Sequence, residues 1–197
     1  MGRVAKFDRD KAIEKVMYEL WQKGYEACSV KSLSETLEIT RSSFYHAFGS
    51  REALFKEALT KYFEQSPAKA FNEGNKQTPI KALFTDTFKH ICSVVASANS
   101  LKGCMLVNCT SELANIHPDL SPYISDANKS IMAQFEYLVN CGKERKEITE
   151  HANTKALALI LQNLLNGIYM MSKVPGNEDN LWLMAEQTLK SVDLYEG

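Results

Sequence analysis

Lys31, Thr40, Arg41, Ser42, Ser43, Tyr45, His46 and Arg51 are eight side chains that can donate hydrogen bonds, and residues 40 to 51 contain no acid. Donors at that density suit phosphate oxygens and the edges of base pairs. No other stretch carries a chemistry as dense. The four histidines, at 46, 90, 117 and 151, show no HExxH or Glu-x-x-His spacing, no glycine-rich phosphate loop is present, and no nucleophile sits beside an obvious base, so catalysis is not expected. The five cysteines, at 28, 92, 104, 109 and 141, include no CxxC pair, which argues against a zinc module or a disulfide framework. Neither a cofactor nor a metal is expected.

The donors need short helices to hold them. Val30, Leu33 and Leu37 recur at spacings of three and four, opposite Lys31, Ser32, Ser34 and Glu35, which predicts a helix over 29–37. Thr40 can cap a second helix over 40–48, whose apolar side is Phe44 and Phe48 and whose polar side is Arg41, Ser42, Ser43, Tyr45 and His46. Gly49 ends it, and Ser50-Arg51-Glu52-Ala53 reads as the cap of a further helix with acid in its first turn.

The run from Ile39 to Leu54, ITRSSFYHAFGSREAL, closely resembles the helix-turn-helix signature of TetR-type transcriptional regulators, with a match spanning roughly residues 8 to 62. Two positions depart from that pattern. Glu38 stands in the turn where the family usually has Gly, and Ser42 where it has a small residue, often Gly. Either the turn needs no positive φ here, or it accepts some strain. The resemblance implies that Ser42, Ser43 and Tyr45 enter or line a major groove, while Lys31, Thr40, His46 and Arg51 bind phosphates, helped by the positive end of the helix starting at residue 51.

Charge neither supports nor opposes that reading strongly. Residues 1–60 hold 10 Lys+Arg against 9 Asp+Glu, net +1, and the remainder 13 against 15, net −2. The basic footprint is therefore local: Arg3, Lys6 and Arg9 before the first helix, then Lys31, Arg41 and Arg51. Apolar content of 45% and charged content of 24% are ordinary for a globular protein, and no segment suggests a signal peptide or a membrane span, so a cytoplasmic location is expected.

The rest of the chain reads as helix throughout. Asp8 or Asp10 can cap a helix carrying Ile13, Val16, Met17, Leu20 and Trp21, closed by Gly24. A helix from Arg51 to about Gln65 turns Leu54, Phe55, Ala58, Leu59 and Tyr62 inward; the resemblance makes it the link between reading and regulatory parts. The segment 66–79, with Pro67, Gly74 and Pro79, is the expected boundary between a DNA-reading domain, 1–65, and an effector-binding and dimerisation domain, 66–197. Beyond it come a stripe from Ile80 to Val95, a break around Asn99 and Ser100, and a helical side of Leu106, Cys109, Thr110, Leu113 and Ile116. The Gly-Cys opening of that segment resembles the sixth helix of many TetR-type regulators. A helix from 118–122 to about Arg145, one from Ala156 to Met171, and one from Asp179 to Tyr195 follow, giving an all-α chain of about nine helices.

Three expectations attach to this second part. Phe84, Phe88, Met105, Cys109, Phe135, Tyr169 and Met170 are candidates to line an apolar effector cavity, with Asn163 or Asn166 as its polar fixture. Cys104, at a helix start near Lys102, is the candidate sensor thiol, since a helix dipole favours thiolate. The helix from 156 to 171 is apolar nearly all round, which points to a homodimer through the last two helices, about 152–194. The chain is thus expected to be a homodimeric, sequence-specific binder of double-stranded DNA, a repressor released from a palindromic operator by a small effector. The alternatives are a thiol-based redox or electrophile sensor of the same fold, or a helical ligand-binding module without operator recognition.

Overall fold

A computed structural model describes residues 8–97, 103–174, 176 and 178–197. Arg3, Lys6, Lys102 and the helix break around Asn99 and Ser100 lie outside the described residues.

The first four helices are α1 (Arg9–Lys23), α2 (Val30–Thr36), α3 (Arg41–Phe48) and α4 (Arg51–Gln65). Each begins on an extended residue whose side chain accepts a backbone N–H three residues on: Asp8 from Lys11, Ser29 from Ser32, Thr40 from Ser43 and Ser50 from Ala53. Such caps satisfy one of the orphan donors that every helix start leaves. Asp8, not Asp10, is the first cap. Val16, Met17, Leu20, Leu33, Phe44, Phe48, Leu54 and Phe55 are buried and join these helices into one cluster. Ser34 lies with them, against the polar assignment of its position; it is buried, and its hydroxyl donates to the Val30 carbonyl at 2.7 Å.

A 3-10 turn (Pro67–Lys69) and a single-turn helix α5 (Ala70–Glu73) follow, where sequence alone showed only a connecting segment. Phe71 explains the difference. It is buried against Phe84, Phe88 and Phe135, with ring centroids 6.1, 5.2 and 5.1 Å away, and so pulls the segment onto the core. Then come α6 (Ile80–Ser97), α7 (Met105–Leu113), α8 (Ser121–Glu144), α9 (Thr154–Met171) and α10 (Glu178–Ser191). The closest helix pairings in this part are α8 with α9 and α6 with α10. The start of α6 is capped from far along the chain, because the Glu147 carboxylate accepts from the N–H groups of Ile80 at 2.6 Å and Lys81 at 3.2 Å. The described residues include ten α-helices and no strand, so the all-α expectation holds with one short helix more than foreseen.

Ile116 is a correction. It does not continue the buried side of α7 but stands 74% exposed, because Asn115 turns left-handed at φ 62° and ends the helix before it.

Glu38 settles the question left by the turn. It adopts φ 57°, the conformation that glycine takes without penalty. The Ile39 N–H donates to the Ser34 carbonyl and the Glu38 N–H to the Glu35 carbonyl, which is the bonding of a Schellman ending and fixes the angle at which the chain leaves α2. Glu38→Gly should therefore stabilise the protein by about 1 kcal/mol, raising the thermal midpoint by about 2–4 °C. Differential scanning calorimetry of the two proteins checks this; an unchanged or lower midpoint would mean that the turn carries no strain.

Candidate nucleic-acid interface and cavities

On α3 the side chains separate cleanly. Phe44 and Phe48 are buried with ring centroids 5.3 Å apart, while Arg41, Ser42, Ser43, Tyr45 and His46 are exposed, as are Thr40 and Lys31. Tyr45 is 53% exposed and stands edge-on to Phe44 at 5.7 Å, so its ring is braced while its hydroxyl faces outward. Ser42, Ser43 and His46 line one shallow concavity with Ile39 and Ala47. Thr40 and Ser43 are partly committed, since their hydroxyls bond each other at 2.9 Å and Thr40 also caps the helix.

Two cations of the basic footprint are engaged within the fold. Arg9 makes a two-point ion pair with Glu57 of α4, both contacts at 2.7 Å, and donates to the Ala47 carbonyl at 3.3 Å; it ties the end of α3 to α1 and α4. The Arg51 guanidinium carbon lies 3.9 Å from the centre of the Tyr25 ring, with Glu26 at 3.8 Å, and its side chain is 21% exposed. A guanidinium over a ring is held by the ring quadrupole, so Arg51 is engaged within the fold. A cap reading finds the helix start but cannot show that its first side chain folds back on a turn 26 residues earlier.

Around Arg51 the first four helices meet the others. Tyr25 donates its hydroxyl to Glu52 at 2.9 Å, and the Tyr25 and Glu26 N–H groups donate to the two carboxylate oxygens of Glu112, on α7, at 2.9 and 2.7 Å. Gly24 makes this approach possible: it has φ 81°, and a Cβ there would fall 2.8 Å from a Glu112 oxygen. Burial, then the bond to Glu52, pushes the Tyr25 phenol up to about 12. Burial pushes the Glu52 carboxyl up, but the N–H groups at the helix start, the Tyr25 and Ser50 hydroxyls and the Arg51 charge outweigh it and hold Glu52 below its ordinary range.

A mainly apolar cavity of about 70 Å³ lies among α4, the 3-10 turn, α5, α8 and α9, lined by Tyr62, Phe71, Cys104, Gln134, Phe135 and Tyr169 among others. Of the anticipated lining, Phe135 and Tyr169 are there. Phe84, Phe88, Met105 and Cys109 do not line it: all four are buried, the two phenylalanines one ring behind Phe71 and Phe135. Asn163, Asn166 and Met170 do not line it either. With Leu159 they form an outward stripe on α9, opposite the buried Leu157, Leu161, Leu164, Leu165 and Ile168; Leu159 is 53% and Met170 46% exposed. The lining that went unseen comes from the end of α4 and residues 66–72. Its one signal was Phe71, a large apolar residue inside a polar segment.

Cys104 is the N-cap of α7 and lines this cavity, but it is buried. Burial pushes its thiol up, and the Tyr62 hydroxyl, the N–H groups of Val107 and Leu106 and the Lys173 charge only partly oppose it. The helix-start argument for a thiolate is therefore overcome by desolvation. Cys28, Cys92 and Cys109 are raised by burial as well, the last two to about 12.

Taken together, four capped helices displaying an exposed donor face, joined by α4 to a helical body with an apolar cavity, define a helix-turn-helix regulator. The chain belongs to the TetR family: residues 16–58 match the profile of bacterial regulatory proteins of the tetR family, and residues 83–187 match the tetracyclin repressor-like C-terminal domain. Among curated proteins it is 29% identical to the HTH-type transcriptional repressor ComR of Escherichia coli K12, over 96% of this chain and 90% of that one. It is 24% identical to the uncharacterized HTH-type regulator YezE of Bacillus subtilis 168, over 98% and 100%. Among solved structures, a cysteine mutant of the TetR-family regulator CifR in complex with a 26 bp operator superposes with a TM-score of 0.85 at 24% identity, covering 97% of this chain and all of that one. Reduced E. coli NemR superposes with a TM-score of 0.72 at 18% identity, covering 93% and 94%.

Glu112 carries the test of the junction. Glu112→Gln keeps the shape but leaves one of two N–H groups facing a donor, and should cost about 1–3 kcal/mol of stability in urea unfolding. A loss below about 0.5 kcal/mol would show that the carboxylate does not hold the turn.

Proposed function

We propose that this chain is a homodimeric repressor that binds a palindromic DNA operator through α2 and α3 and is released by a small molecule in its cavity. It acts by binding and not by catalysis, in the cytoplasm where its DNA lies. The observation that carries the reading is the exposed face of α3, on which Ser42, Tyr45 and His46 stand in solvent while Phe44 and Phe48 anchor the helix on its other side. Their place is the major groove, with Lys31 and Arg41 at the flanking phosphates. The DNA-reading part ends at residue 65, where α4 passes into the 3-10 turn, and residues 66–197 carry effector binding and dimerisation. Cys104 enters as a wall of the cavity. A thiol-sensing version of the same regulator has only that position in its favour, and burial opposes it.

Selection from a pool of random duplexes, followed by sequencing, should return an inverted repeat. On that duplex Tyr45→Ala should bind about ten- to a hundredfold more weakly at fixed salt, with an unchanged thermal midpoint because the ring is half exposed. Equal affinity for the selected and an unrelated duplex would refute operator recognition.

In this reading two copies pair through the outward face of α9, a proposal supported by Leu159, Asn163, Asn166 and Met170 at spacings of four, three and four and by Leu183 of α10, 54% exposed. The double variant Leu159→Glu/Met170→Glu should sediment as a monomer at micromolar concentration and lose most of its operator affinity. A variant that remained dimeric would move the interface elsewhere.

A further inference from the structure

A second chamber, of about 150 Å³, lies behind the cavity just described and shares Tyr62, Ser66 and Tyr169 with it as a common wall. Its other walls matter more. Met17, Tyr18 and Trp21 belong to α1, so this chamber touches a helix of the reading part, whereas Val94 and Val95 belong to α6. We propose that it is a subsite for a small neutral aromatic molecule of one ring carrying one hydroxyl, a phenol, and that its occupant bears directly on α1. The proposal rests on the effector reading above and specifies it.

Size sets the ring count, since an apolar cavity of about 150 Å³ holds one benzene ring. The walls set the chemistry. None of the described lining residues is charged, so among them an ion would find no partner for the hydration it loses. Trp21 stands edge-on to Tyr62 with centroids 5.0 Å apart and stacks on Tyr18 at 6.4 Å, which gives a flat guest aromatic faces and edges to meet. The hydroxyl is called for by Tyr169. Its side-chain oxygen is buried and makes no hydrogen bond of normal geometry, although Tyr62 and Ser66 stand near it. A buried phenol oxygen is ordinarily paired, and a guest hydroxyl at the common wall would pair it.

Position then gives the consequence. α1 packs along α4, which α3 also contacts, and Arg9 of α1 donates to the Ala47 carbonyl of α3 at 3.3 Å. A guest that displaces Met17 or Trp21 shifts α1 and so acts on α3 through Arg9 and through α4.

The chain has two tryptophans, so Trp182→Phe leaves Trp21 as the only one and makes its emission a direct report on the chamber. Phenol and toluene are titrated into this protein with excitation beyond phenol absorption. Phenol should change Trp21 emission saturably and bind about tenfold more tightly than toluene. Tyr169→Phe should abolish that preference while leaving the thermal midpoint unchanged, and Val94→Phe, which fills the chamber, should abolish the response. Saturating phenol should also weaken the hold on the selected operator by at least about fivefold in the parent and not in Val94→Phe. No saturable change up to about 10 mM phenol, a value on the order of the weakest specific affinities, would overturn the subsite, as would a preference that survives Tyr169→Phe. Saturable binding without loss of operator affinity would overturn the action through α1. If Val94→Phe does not fold, the Tyr169→Phe comparison decides the site alone. A parent protein that selects no operator would sink the regulatory reading, while the titration would still show whether the chamber takes its ring.

Discussion

A helix of two turns has no stability of its own in water, because nucleation costs more than a handful of hydrogen bonds returns. α3, at eight residues, is such a helix, and α2 is shorter still. Every contact that α3 makes with DNA therefore depends on what packs beneath it. Burying a phenylalanine is worth roughly 1.5–3 kcal/mol, so Phe44 and Phe48, both buried, supply the main hold. The Thr40 cap and the αL exit at Glu38 then set where the helix begins and how it leaves α2. Arg9 adds the last restraint, reaching from α1 to the final turn of α3 and to Glu57 at once.

The same dependence explains the junction at Tyr25. The turn after α1 is held on one side by Arg51 and Glu52 of α4 and on the other by Glu112 of α7. A charged acceptor meeting two backbone N–H groups makes a short-range, directional tie, stronger than neutral bonds of the same number. An apolar contact would tolerate sliding, whereas this geometry does not. A shift of α7 relative to α4 must break at least one of these bonds or carry the turn, and α2 behind it, along. The body of the molecule and the reading helices are thus mechanically joined at two places, the α1–α2 turn and the length of α4.

What could be read from the sequence follows the range of the interactions involved. Caps and stripes act over three to eight residues, and Thr40, Ser50, Val30, Leu33, Phe44 and Phe48 all stand where local pattern places them. Glu38 left two outcomes open, since a left-handed residue without glycine is a matter of strain that only the hydrogen bonds of the turn decide. The engagement of Arg51 and Arg9 within the fold was not legible because a cation in a basic run looks the same whether it faces solvent or lies over a ring from another part of the chain. The cavity was misplaced for a related reason. Period marks which residues point inward but not which inward residues leave a gap, and Phe84 and Phe88 fill their space while Tyr62 and Tyr169 do not. α9 shows the limit most plainly: being apolar on nearly all sides, it offers no period from which to tell its inner face from the outer stripe of Leu159, Asn163, Asn166 and Met170.

Charge completes the account of affinity. With residues 1–60 at net +1, and Arg9 and Arg51 engaged within the fold, one copy has few cations left for phosphates. Each neutralised phosphate contributes through counterion release, so a single reading head of this kind binds DNA weakly. Two heads on one rigid body bind as a unit, and the second adds its affinity at a high effective concentration set by their spacing. Such a protein is sensitive to the spacing in proportion to how little each head holds alone. A strongly basic reading part would stay on DNA when its partner lets go. In the proposed dimer, the modest charge of each head makes the geometry of the body, and hence whatever occupies its cavities, decisive for release.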